Sequence, residues 1–185
     1  MDFQYLYTKT EGRISRKSWW IGAIVLAVAN IVISMLILPL VGLGGPNMAA
    51  IMANTTDPAQ IATIATGVIQ ASAWGSLVVF LIFAYPAYCL SVKRRHDKNN
   101  AGRDVLIYFG VTVVLLLIQA LGLGYTMTDI QGVAVPMPSM LFSVIGAAVG
   151  IFGIYMLVVL GFLKGTDGSN DYGPDPLTSG AAATA

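Results

Sequence analysis

Every Lys and Arg of this chain lies in one of three short segments, and the long apolar stretches between them hold none. The segments are residues 9–17, residues 93–103 and the single Lys164. Two further polar stretches also separate apolar runs, yet carry only an acid each, Asp57 and Asp129. A chain that threads back and forth through a bilayer sorts its charge this way, because Lys and Arg are kept on the cytoplasmic side and are scarce in short translocated loops. Composition agrees. Only 10% of the 185 residues are charged, against about 25% in soluble domains.

A spanning helix needs about 20 mainly apolar residues, and the sequence offers such runs at residues 19–43, 74–92, 105–123 and 140–163. The predicted fold is an all-α membrane protein whose four transmembrane helices form two hairpins. They make a single domain over residues 1–177, followed by a disordered tail at 178–185. Basic residues precede the first span, join the second to the third and follow the fourth, which places both termini in the cytoplasm. The first apolar run exceeds the roughly 7–15-residue core of a signal peptide, so it is expected to be retained. Pro39 is expected to kink or end that span, and Pro86 lies within the second. In the first external loop, Asp57-Pro58 has the form of a helix start. Ile61, Ile64, Ala65, Val68 and Ile69 then recur at helical intervals. This pattern predicts a helix that lies on the outer surface or extends the second span outward. Residues 124–139 read as a loop.

The spans exclude several kinds of chemistry. They contain no Asp, Glu, Lys, Arg or His, which ion-coupled carriers ordinarily need at depth, and no base to activate a nucleophile. One Cys, Cys89, allows no disulfide within the chain, and one His, His96, is too few for a zinc site. Asp167, Ser169 and Asp171 alternate as the first ligands of a calcium loop do. Tyr172, however, stands where that loop needs Gly, and Thr178 where it needs a bidentate Glu. No catalytic residue, metal or cofactor is expected.

What remains is a set of contact residues. Arg13 and Arg16, beside Trp19-Trp20, have the composition of an interfacial anchor. Lys93, Arg94, Arg95, His96, Asp97 and Arg103 form a basic loop richer than orientation requires, and it is expected to contact anionic lipid headgroups or a partner protein. A carboxylate at Asp97 would favour a protonated His96 and make it a pH-sensitive contact. The acidic turn carrying Asp167, Asp171 and Asp175 is expected to dock on this loop, its carboxylates facing Arg94, Arg95 or Arg103. Gly146 and Gly150 give the fourth span a small face for close helix packing, within the bundle or between copies.

These segments also resemble a family. Gly12-Arg13-Ile14-Ser15-Arg16 before a Trp pair, Lys93-Arg94-Arg95-His96-Asp97 after the second span and Asn170-Asp171-Tyr172-Gly173-Pro174-Asp175-Pro176 after the last are similar to the bacterial domain-of-unknown-function family numbered 805. The resemblance runs from about Tyr5 to Leu177. It departs at Ala101-Gly102-Arg103, where members often have Ser-Gly-Trp, and in a longer first external loop. It implies a small bacterial inner-membrane protein and adds no activity. The expected function is thus a non-enzymatic interaction or scaffold protein. The alternative is an oligomeric transport, channel or lipid-handling protein. Expected partners are the bilayer, anionic phospholipids and a protein or second copy of the chain, with no nucleic acid.

Overall fold

The computed structural model describes residues 2–40, 57–130 and 132–178. A short helix α1 (Phe3–Thr8) opens the chain, its first turn capped by Asp2, whose carboxylate accepts from the Tyr5 amide at 3.0 Å. Helix α2 (Arg16–Val32) runs on through a π-helical turn (Ile33–Ile37) and a last α-helical turn (Leu38–Leu40). Pro39 explains that turn. It offers no N–H to the carbonyl four residues back and crowds it, and the helix widens just before, with the Leu38 amide donating to the Ile33 carbonyl five residues back. Helix α3 (Pro58–His96) is continuous over 39 residues, about 58 Å at the usual rise and so close to twice the thickness of a hydrocarbon core. Helix α4 (Arg103–Ala120) follows, then two strands, β1 (Tyr125–Ile130) and β2 (Val133–Pro138). Helix α5 (Met140–Leu157) ends in a second π-helical turn (Val158–Phe162). Among the described residues, four helices are long and apolar enough to cross a membrane.

The four apolar helices match the sequence reading in number, and two flanking stretches take definite form. The amphipathic pattern after Asp57 is the start of α3, so the second span is extended instead of being preceded by a separate surface helix; the Asp57 carboxylate accepts from the Ala59 amide at 3.0 Å and caps it. The Gly42-Leu43-Gly44 end of the first span lies outside the described residues. The stretch read as a loop is an antiparallel hairpin, pairing Tyr125 with Pro138 and Ile130 with Val133. Gly132, at φ +83°, supplies the left-handed turn position. In a two-stranded ribbon each strand keeps one unpaired edge, which lets Pro136 and Pro138 sit in β2 without a missing ladder bond.

Contacts divide the chain into two compact units. The first takes in α1, the starts of α2 and α4, and the ends of α3 and α5 with the segment that follows; it is called the basic end below. Its core is Leu6, Ile14, Trp19, Leu90, Val105, Met156 and Leu160. Two glycines allow the close approach. A Cβ on Gly22 would lie 2.7 Å from Leu90, and one on Gly161 would lie 2.8 Å from the Trp20 ring. The second unit holds the remaining helix halves and the hairpin, where Tyr125 packs its ring 5.6 Å from Phe142 and accepts from Gln119 at 3.0 Å.

Candidate interaction site at the basic end

The basic motif is not a loop. Lys93 through His96 form the last turn of α3, and the chain turns only afterwards, through Asn99 at φ +54°. The Asn99 amide closes on the His96 carbonyl at 2.9 Å and the Asn100 amide on that of Arg95 at 3.1 Å, a left-handed helix stop for which Asn is well suited. Placed on a helix, five successive residues point in five directions, and each reaches a different part of the chain.

Lys93 is fully buried. Its ammonium donates to the Tyr5 and Leu6 carbonyls, the latter at 2.9 Å, and lies 4.2 Å from the centre of the Tyr5 ring. It thereby covers the open carbonyl end of α1, where a cation is favoured. Arg94, also fully buried, does the same for α5. Its Nε donates to the Leu160 carbonyl at 2.9 Å, one Nη donates to Leu163, and the other pairs with Asp97. The π-helical turn of α5 offers further carbonyls here: Trp20 Nε1 donates to Gly161 at 3.0 Å and Arg16 to Phe162 at 3.1 Å. Arg95 turns the other way and pairs with Asp104 at the start of α4, Nε donating to Oδ1 at 3.1 Å and Nη2 standing 2.8 Å from Oδ2 as an ion-pair contact. The His96 ring stacks parallel on Tyr172, centres 3.9 Å apart, with Nδ1 3.1 Å from the Gly12 carbonyl.

Asp97 joins the three motifs. Arg13 donates to its Oδ1 through Nε at 3.1 Å and Nη2 at 3.0 Å, while Arg94 takes Oδ2. Its own carbonyl accepts from the Thr166 amide at 2.8 Å. Arg13 also donates to the carbonyls of Thr166 and Gly168, both at 2.7 Å, and of Gly173 at 3.2 Å. Asn170 adds an amide bond to the His96 carbonyl at 2.9 Å. The Asp97 and Arg13 side chains are 5% and 1% exposed, so these charges are satisfied by one another and by backbone, as buried charges must be. Gly165 is required by this closeness, because a Cβ there would fall 1.9 Å from Asp97 Oδ2.

Several sequence expectations change accordingly. Lys93, Arg94, Arg95, Asp97 and Arg13 are buried, so their charges face inward, and Arg16 and Arg103 are the exposed members of the predicted contact set. The segment after α5 does dock on the basic motif, but through its carbonyls. Arg94 pairs with Asp97 and Arg95 with Asp104, in place of Asp167, Asp171 or Asp175. Asp167 instead pairs with Lys164 at 2.6 Å, both largely exposed, and the Asp171 amide donates to Asn99 at 3.3 Å. Asp175 holds the turn: the Leu177 and Gly168 amides donate to it, and the Leu177 bond above all keeps its carboxyl below the usual carboxylate range against the opposing effect of burial. Lys98, donating to the Lys164 carbonyl at 2.9 Å, has its ammonium pushed below the ordinary Lys range by burial, then by Arg94 and Arg95 nearby. Both oxygens of Asp97 are occupied by arginines, so the carboxylate serves them and not His96. Gly146 and Gly150 are exposed, and a Cβ on either would meet nothing within 4 Å; the glycines in close helix contact are Gly22, Gly153 and Gly161. Sequence reading missed Thr166, Asn170, Tyr172 and Tyr5, whose backbone or ring contacts complete the cluster. The Asn170-to-Gly173 run carried the signal, as a turn-forming sequence on the same side as the basic residues.

No curated protein and no solved structure matches the chain. A family model does, described as a protein of unknown function (DUF805) and matching residues 7–174, a range that contains the first two motifs whole and the third as far as Pro174. The chain therefore belongs to the DUF805 family.

Proposed function

We propose that this chain is a multi-pass protein of the bacterial inner membrane, with both termini cytoplasmic, and that its basic end is a preformed, non-catalytic interaction platform for anionic headgroups or a partner protein. The observation that carries the reading is the division of labour along Lys93–Asp97. Each side chain fixes a different segment, and the result is one rigid surface from pieces far apart in sequence. Orientation in a membrane needs only the charge count; the buried bonds go beyond it, and an interaction surface is what a fixed arrangement of exposed Arg16, Lys17, Arg103 and Lys164 supplies. Asp97→Asn should loosen this surface and reduce capture of lipid or partner in pull-downs while insertion is kept. Capture equal to wild type would contradict the proposal.

A second reading, oligomeric transport, channel or lipid handling, is favoured by one observation. The second unit has a cleft of about 400 Å³ lined in part by Asn30, Ser34, Ser72 and Ser76, polar groups on helices otherwise apolar. Solute flux in liposomes above that of empty vesicles would support it.

A further inference from the structure

Beside the buried cluster, the basic end has an open cleft of about 290 Å³, walled by Ser15, Arg16 and Lys17 on one side and by Lys164, Asp167 and Asp175 among others. A water molecule occupies about 30 Å³ in the liquid, so the cleft has room for a group of about nine or ten such volumes. Its charges are not all internally matched. Arg94 pairs with Asp97, Lys164 with Asp167, and Asp175 accepts from the Gly168 and Leu177 amides. Among the described residues Arg16 gives a single bond, to the Phe162 carbonyl, which leaves its other donors. Lys17 is exposed and has no ion pair among the described residues. Two cations thus stand on one wall, at the first turn of α2, where the backbone also favours an anion.

The surroundings are those of an interface. Trp19 and Trp20 come one residue after the two cations; Trp19 belongs to the core, and the half-buried Trp20 is the indole suited to headgroup level at this helix start. Leu177, in the cleft wall, is 71% exposed, and Phe162 and Leu163, just before Lys164, are 59% and 47% exposed. A soluble phosphate would have no use for that apolar margin, whereas an acyl glycerol backbone would cover it. Asp167 and Asp175 set a further limit, since a second negative charge would face them. We infer that the cleft binds the singly charged phosphodiester of a glycerophospholipid headgroup, with Arg16 and Lys17 on the phosphate. The inference rests on reading the basic end as an interaction platform.

The test is native mass spectrometry of the purified full-length protein titrated in detergent with phosphatidylglycerol, diacylglycerol or sn-glycerol 3-phosphate. Phosphatidylglycerol should be retained and diacylglycerol should not. Retention should fall about tenfold or more in the Arg16→Gln/Lys17→Gln variant, the loss of charge-assisted contacts, and stay unchanged in Lys9→Gln, an exposed cation outside the cleft. Lys17→Gln alone removes no hydrogen bond or ion pair among the described residues, so its partial loss does not come from misfolding. Equal retention in all variants, or of diacylglycerol, would overturn phosphate recognition. Displacement by sn-glycerol 3-phosphate at matched concentration would overturn the lipid as its source. If wild type held no lipid but still captured a protein partner at this end, the inference would fail and the platform reading would stand.

Discussion

The two units of this chain differ in where their glycines are crowded, and the helices show it best. At the basic end, a side chain on Gly12, Gly161 or Gly165 would collide with Tyr5, Trp20 or Asp97. In the other unit the helical Gly67, Gly146 and Gly150 have open space where a Cβ would go, as does Gly110 of α4 at the basic end, while the crowded Gly122 and Gly124 stand before the hairpin, against Gln70 and Phe142. Polar groups divide likewise. Arg13, Arg94 and Asp97 are enclosed and fully bonded, whereas the Ser72 and Ser76 side chains of α3 are exposed and Ser76 simply bonds back to its own helix at 2.8 Å. Glycine or polarity in a span is therefore no guide to packing by itself. What matters is whether a partner from a distant segment needs the space.

The contrast can be broken or sharpened by substitution, most strongly at Asp97. Asp97→Asn removes the charge that two enclosed arginines share, and loss of one partner of a buried pair costs about 3–5 kcal/mol; denaturant unfolding in micelles should register that drop. Gly161→Ala comes next, with about 1–3 kcal/mol for overpacking against Trp20, visible as a lowered Tm. Lys164→Gln, at an exposed pair, should change stability by about 0–1 kcal/mol, within the scatter of the same assay. At the small end, Gly150→Ala should be neutral or stabilise by up to about 1 kcal/mol, because helical Gly is the less favourable residue and nothing crowds the new methyl. If Gly150→Ala were as damaging as Gly161→Ala, then Gly150 would meet a partner that a single copy lacks, and the transport reading would gain an oligomer.

Much of this was legible in the sequence, for physical reasons. Uncharged runs of bilayer length fixed the helices, and the three-and-four spacing from Ile61 to Ile69 announced the outward extension of α3. The hairpin was not legible because Pro136 and Pro138 argue against a strand unless one knows that its edge is free. The buried cluster was hidden more deeply. Lys93 and Arg94 read as surface charges in any one-dimensional view, since the carbonyls that accept from them belong to Tyr5, Leu160 and Leu163. The positive-inside pattern accounts for how many cations sit at this end and says nothing of which are enclosed. The family resemblance marked the right segments without saying that they touch.

The central claim is that the three motifs meet in one buried network through Asp97. A double-mutant cycle with Arg13→Gln and Asp97→Asn, read by reversible unfolding in micelles, tests it most directly. Coupling within about 0.5–3 kcal/mol is the range found for residues that share a network, and this pair should lie at its upper end, with the double variant little worse than either single one. Additive losses, as for residues that never touch, would contradict the account.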